Sequence, residues 1–207
     1  MKTIAELLIE NKIIRTNFEN PFRGTSGIFL PIYGDCREAN SIVALREKIV
    51  EKFIEKIFAE KWEFDAVAGT ATGGISWAAF VAQKLRKPLL YVRPQKKAHG
   101  MGKQVEGRGE KNWKIILIED MFSTAGSAVV SARALRTELS ATVENVLAIF
   151  SWDLPKIAEN SKNENLNFFP LASFSEISAA LLKLGKISET EFEKLKSWNA
   201  APENFAI

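Results

Sequence analysis

The sequence predicts an α/β fold: a parallel, doubly wound sheet flanked by helices, with a small lobe built from both ends of the chain. Three observations predict it. First, DAVAG (65–69), PLLYV (88–92), KIILIE (114–119) and NVLAIF (145–150) are apolar runs of strand length without clean alternation, as strands buried on both faces are. Second, helical patterns lie between them, over 74–86 and 127–138, and alternating strand and helix is the signature of a parallel sheet. Third, both ends of the chain break that alternation. A single domain is therefore expected, with a core over about 39–164 and a hood from about 1–38 and 165–207.

The elements follow in order. Residues 1–15 predict a helix, with Ile4, Leu7, Leu8 and Ile14 on one face. Residues 20–36 carry Pro21, Gly24, Gly27, Pro31 and Gly34, a density that predicts turns and short extended pieces. From Ala39 to Ala59, Ile42, Leu45, Ile49, Phe53 and Ile57 recur at threes and fours, predicting a long amphipathic helix. The strand and helix runs of the core come next. After them, Ser175 to Leu184 predicts a helix ended by Gly185. Ser188 opens another, with Glu191 three residues on as a capping box.

Composition narrows the function. The 207 residues are 46% hydrophobic and 26% charged, which is globular rather than disordered. One cysteine, Cys36, excludes an internal disulfide and fits a reducing compartment. One histidine, His99, excludes a multi-histidine metal site. No apolar run reaches the roughly 18 residues of a membrane helix. The N-terminus carries acids within its apolar stretch, unlike a secretory signal. The expectation is a cytoplasmic protein without a membrane partner. Its net charge of +3 is small, and the segment from Arg93 to Lys111 holds six basic residues against two acids, a local +4. The rest of the chain sums to about −1, so a local anionic ligand is expected rather than nucleic acid.

Four stretches carry chemistry. In IILIEDMFSTAGSAVVSA (115–132), Glu119 and Asp120 end a buried strand, where open α/β sheets bind ligands. Ser123, Thr124, Ala125, Gly126 and Ser127 then open a helix, forming a turn whose backbone N–H groups suit a phosphate. No Gly-Lys-Ser/Thr pattern follows, which excludes a nucleoside triphosphatase loop. Acids beside a phosphate cradle fit a sugar phosphate, whose hydroxyls donate to the carboxylates; the bland alternative is a capped turn with two solvated acids. The stretch 91–110 is rich in glycine, lysine and arginine and holds the histidine, which suits a mobile loop closing over an anion or simply a solvated basic loop. In 66–85 a strand enters a glycine-bearing turn and a helix of small residues, suited to close approach of a ligand or to tight packing on the sheet. In 20–37, Tyr33 can line a ring-shaped ligand or belong to the core.

The 115–132 run resembles the phosphoribosyl pyrophosphate motif of the type I phosphoribosyltransferases. The 91–110 run resembles the catalytic loop of the orotate-specific members through Tyr91, Arg93, Lys97, His99, Gly100, Glu106 and Gly107. Ser26, Gly27, Pro31, Tyr33 and Asp35 resemble the family's N-terminal segment. The resemblance implies a type I phosphoribosyltransferase-like fold and a transfer of phosphoribose from phosphoribosyl pyrophosphate to orotate. It implies Arg93, Lys97 and His99 as catalytic contacts to pyrophosphate, on a loop lent across a homodimer interface. It implies that Glu119 and Asp120 hold the ribose, Ser123 to Ser127 the 5-phosphate, and Ala71, Thr72 and Gly73 the pyrophosphate side. Ser123 and Tyr33 would meet orotate, and Mg2+ would be held by the substrate rather than directly by the protein. A salvage transferase for another base, and a non-catalytic sensor of phosphoribosyl pyrophosphate, remain as alternatives.

Overall fold

The computed structural model describes residues 2–23, 29–95 and 102–202. Helix α1 (Ile4–Glu10) starts on a Thr3 capping box with Glu6. It stops short of the expected residue 15, because Lys12 takes a left-handed φ of 58° and turns the chain back. Ile14 thus belongs to a strand, β1 (Ile14–Thr16). Strands β2 (Phe22–Arg23) and β3 (Phe29–Leu30) pair antiparallel, and β4 (Ile32–Gly34) returns along β1. The expected helix over 39–59 is split. A 3-10 turn (Glu38–Ser41) and an extended Ile42 precede α2 (Val43–Ala59), whose buried residues include Leu45, Ile49, Phe53 and Ile57.

The core follows as β5 (Ala66–Thr70), α3 (Gly73–Leu85), β6 (Leu89–Val92), β7 (Val105–Glu106), β8 (Ile115–Ile118), β9 (Met121–Phe122), α4 (Gly126–Leu139) and β10 (Asn145–Ser151). After it come α5 (Pro155–Glu164), β11 (Asn167–Ser173), α6 (Phe174–Lys183) and α7 (Glu189–Ala200). The sheet runs β11-β10-β8-β5-β6-β7, with β9 also on β10. All pairs are parallel except β6 with β7.

The strands lack alternation because both faces are covered. Ile116 and Ile118 of β8 join one core cluster with α2 and α3, whereas Ile115 and Leu117 join a second cluster with α4. Capping boxes at Ser173 and Ser188 start α6 and α7. Helix α6 packs on α1, and Lys183 reaches Glu6 at 2.9 Å, so the two chain ends form one lobe.

The C-terminal boundary of that lobe differs from expectation. Residues 167–173 were expected in the hood but pair with β10 over six positions as the sheet's edge strand. Pro170 obscures the strand in the sequence; an edge position tolerates it because no ladder hydrogen bond is needed on that side. Helix α5 has no apolar stripe to betray it, since none of its residues is buried.

Candidate active site

Two strand ends and two helix starts meet in a cleft of about 370 Å3. Its lining is Arg37, Ala71 to Gly73, Glu119 to Met121 and Ser123 to Ser127. The structure therefore brings together the residues expected at the ribose and 5-phosphate and, of those expected at the pyrophosphate, Ala71 to Gly73.

Glu119 and Asp120 leave β8 at its carboxyl end. Glu119 is only 6% exposed, and Asp120 N donates to its Oε1 at 3.1 Å. Burial, reinforced by the adjacent Asp120, pushes the Glu119 carboxyl up from 4.5 to about 9. Thr70 is buried beside it, and its hydroxyl opposes that rise. Met121 N donates to Asp120 Oδ1 at 3.0 Å, which fixes the second acid toward the cleft.

The loop 123–127 joins β9 to α4. No side chain caps the start of α4, so its first N–H groups remain directed into the cleft, as an anion requires. Ala125 takes φ 60°, a left-handed conformation that costs a side chain about 1 kcal/mol. Its methyl group is 6% exposed and packs in the α4 core cluster, which offsets that cost and explains alanine at a glycine-like position. Asn160 of α5 donates to Thr124 O at 2.7 Å and braces the loop from outside. Sequence reading missed Asn160, because a polar residue on an unrecognised helix carries no signal.

The facing wall is the turn after β5. The Ala71–Thr72 peptide is cis, Ala71 N donates to Val92 O at 2.8 Å, and α3 begins at Gly73 without a side-chain cap. A Cβ on Gly73 would collide with the Asp120 carboxylate, and one on Gly74 with the Ile118 carbonyl. The glycines let the turn lie directly on the acidic strand end. Trp77 points away from the cleft into the core, fully buried and edge-on to Phe80.

The remaining expected site residues lie elsewhere. Tyr33 is absent from the cleft lining; its ring packs on Phe22 at 5.5 Å and under the Arg15 guanidinium at 5.5 Å. Arg93 is also outside the lining, with Nη1 3.6 Å from Glu106 Oε1. The base of its loop is laced: Gln104 Nε2 donates to Arg93 O at 2.7 Å, and Glu138 of α4 accepts from Gln104 N at 2.7 Å. Lys97, His99, Ser26 and Gly27 lie outside the described residues. Leu154 lines a separate apolar hollow with Phe122, Ile157 and Phe168. Among the described residues, no group of three His, Cys, Asp or Glu side chains is placed to hold a metal, and no helix is long and apolar enough to cross a membrane. The residues that sequence reading overlooked inside the cleft are Met121 and, the only charged one of the two, Arg37.

Known proteins with this architecture share its chemistry in name. The phosphoribosyl transferase domain model matches residues 39–166. The orotate phosphoribosyltransferase of Coxiella burnetii is 40% identical over 98% of this chain and 96% of its own. That of Enterococcus faecalis is 39% identical over 99% and 97%. Among solved structures, orotate phosphoribosyltransferase from Aeropyrum pernix superposes with a TM-score of 0.76 at 27% identity, covering 90% of this chain and all of that one. Leishmania donovani UMP synthase shares the fold at a TM-score of 0.78 and 20% identity, over 95% of this chain and 41% of its own. With near-complete coverage at this identity, and with the acids and the uncapped helix start in one cleft, the chain belongs to the orotate phosphoribosyltransferases of the phosphoribosyltransferase family.

Proposed function

We propose that the chain joins N1 of orotate to C1 of phosphoribosyl pyrophosphate, giving orotidine 5-phosphate and pyrophosphate for pyrimidine synthesis. The observation that carries the reading is the single cleft that sets two carboxylates against an uncapped helix start, in a chain of this family. The open N–H groups of 124–127 take the 5-phosphate, and their binding energy orients the reacting carbon. Asp120, fixed by Met121 N, and the buried Glu119 accept from the ribose hydroxyls. The Ala71 to Gly73 turn lies on the far side of Asp120 and faces the pyrophosphate. Ser123 borders the space left for orotate. Tyr33 serves the base only through a change of its present packing on Phe22.

A magnesium ion held by substrate oxygens would fit beside Asp120, and no group of three His, Cys, Asp or Glu side chains among the described residues is placed to hold it directly. Carried in on substrate oxygens, it supplies charge neutralisation for the departing pyrophosphate. Arg93, Lys97 and His99 add donors to that leaving group. Because Arg93 does not line the cleft of its own chain, we place this loop over the site of a second copy in a homodimer. No side chain of the cleft stands out as a base; as the N1–C1 bond forms and the C1–pyrophosphate bond breaks, the orotate N1 proton passes to solvent.

The test follows orotate absorbance with phosphoribosyl pyrophosphate and magnesium, with adenine, hypoxanthine and uracil in parallel. Consumption of orotate alone is expected. Turnover of another base, or of none, overturns the assignment. Lys97→Ala is expected to lower kcat about 100-fold or more while leaving the melting temperature within about 2 °C, as loss of a leaving-group contact made in the transition state does. Equal rates in variant and parent would remove the loop from the mechanism.

A further inference from the structure

We infer that Arg37 is a further substrate-binding residue of this cleft, contacting the pyrophosphate group, and that Asp35 is the positioning residue that aims it; this rests on the reaction proposed above. The cleft must hold a polyanion, yet two of its lining residues are acids. Among the described lining residues Arg37 is the one cation.

Local geometry makes Arg37 a fixed donor. Along β4 and its exit, Ile32, Gly34 and Cys36 are buried, whereas Tyr33, Asp35 and Arg37 face the other way. Through Asp35 the period of two is that of an extended chain; the chain then turns over Cys36 and Arg37, with Arg37 in helical backbone geometry at the start of the 3-10 turn. Asp35 then receives Arg37 three times. Oδ1 accepts from Arg37 N at 3.1 Å and Nε at 2.7 Å, and Oδ2 accepts from Nη2 at 2.7 Å. Asp35 is mostly covered, at 14% side-chain exposure, while the Arg37 side chain is 62% exposed. A guanidinium carries five N–H donors, and the Asp35 fork occupies two. The Nη1 edge has no protein partner among the described residues. A planar fork held from behind, with its free edge in a cleft, is suited to phosphate recognition.

Position selects which part of the substrate is met. The Asp120 carboxylate acts on the Arg37 guanidinium and also lies against Gly73. Arg37 is thus on the side of the 71–73 turn, whereas the 5-phosphate loop begins beyond Met121. Sequence reading passed over it because an exposed arginine next to an aspartate is ordinarily a solvated surface pair.

Equilibrium binding of magnesium pyrophosphate and of orotidine 5-phosphate, which has no pyrophosphate, tests the inference. Arg37→Ala is expected to weaken pyrophosphate about 10- to 100-fold and to raise KM for phosphoribosyl pyrophosphate similarly, the range for losing one charge-assisted contact. Orotidine 5-phosphate and orotate constants should stay within about twofold. Arg37→Lys should recover part of the loss, keeping the charge without the fork. Asp35→Asn should weaken pyrophosphate less than Arg37→Ala, and should have no added effect in the Arg37→Ala background. Unchanged pyrophosphate binding in Arg37→Ala, or an equal loss for orotidine 5-phosphate, overturns the inference alone. A parent protein that binds neither ligand overturns the reading beneath it as well.

Discussion

Glu119→Gln is expected to make the protein more stable at alkaline pH while removing most of its activity. The sign follows from the protons. In the folded chain the Glu119 carboxyl is held near 9, chiefly by burial and then by Asp120; unfolded, it returns to about 4.5. Between those values the folded state binds the extra proton, so stability falls as pH rises. The contribution is complete below about 4.5 and lost as pH passes about 9. Glutamine cannot ionise, so the variant escapes that loss, and its Oε1 can still accept from Asp120 N. The gain should be near zero at pH 4.5 and on the order of 2–4 kcal/mol by pH 8, or roughly 5–10 °C in melting temperature for a domain of this size. Turnover should fall about 100-fold, because the substrate complex needs the ionised form of Glu119 to accept from a ribose hydroxyl, and an amide, which cannot ionise, is a weaker acceptor. Thermal denaturation of parent and variant from pH 5 to 9 checks the first part. Parallel curves across that range would mean Glu119 is ionised in the folded protein.

That burial also explains which parts of the site could be read from sequence. Two acids after a four-residue apolar run mark the end of a buried strand, and a small, hydroxyl-rich turn after them marks a helix start that lacks a side-chain cap. Both signals are local, and the cleft assembles them as expected. The core strands were equally legible, since Ile115 to Ile118 face two covered sides and need no alternation. What stayed hidden depends on tertiary placement. Helix α5 has no fully buried residue, and β11 contains a proline that only an edge position permits. The helix expected through residue 15 ended early because Lys12 turns left-handed, which a charged residue does not announce. Arg37 lies close to Asp35 in the chain but reaches the site only because β4 folds back along β1. An alternation of buried Ile32, Gly34 and Cys36 with polar Tyr33, Asp35 and Arg37 was the available clue.

Neighbouring glycines at the start of α3 should fail in opposite ways when given a methyl group. Gly74 is buried, and its added Cβ would overlap the Ile118 carbonyl and lie 3.1 Å from Glu119 Cα. Those atoms belong to the backbone of a central strand paired on both sides, so neither partner can yield without separating α3 from the sheet. Gly74→Ala is expected to cost about 3 kcal/mol, at the upper end of overpacking penalties, and to lower the melting temperature by roughly 6–12 °C. Gly73 meets a side chain instead. Its Cβ would occupy the place of the Asp120 carboxylate, which can swing aside by rotation about its own bonds. Gly73→Ala should therefore cost less than about 1 kcal/mol of stability, yet move the acid that the ribose needs. A displacement of about 1 Å is worth on the order of 100-fold in rate. Denaturation midpoints and kcat/KM measured on both variants separate the two effects. If Gly73→Ala keeps full activity, Asp120 is not held in place by that turn, and the close approach of turn and strand serves packing alone.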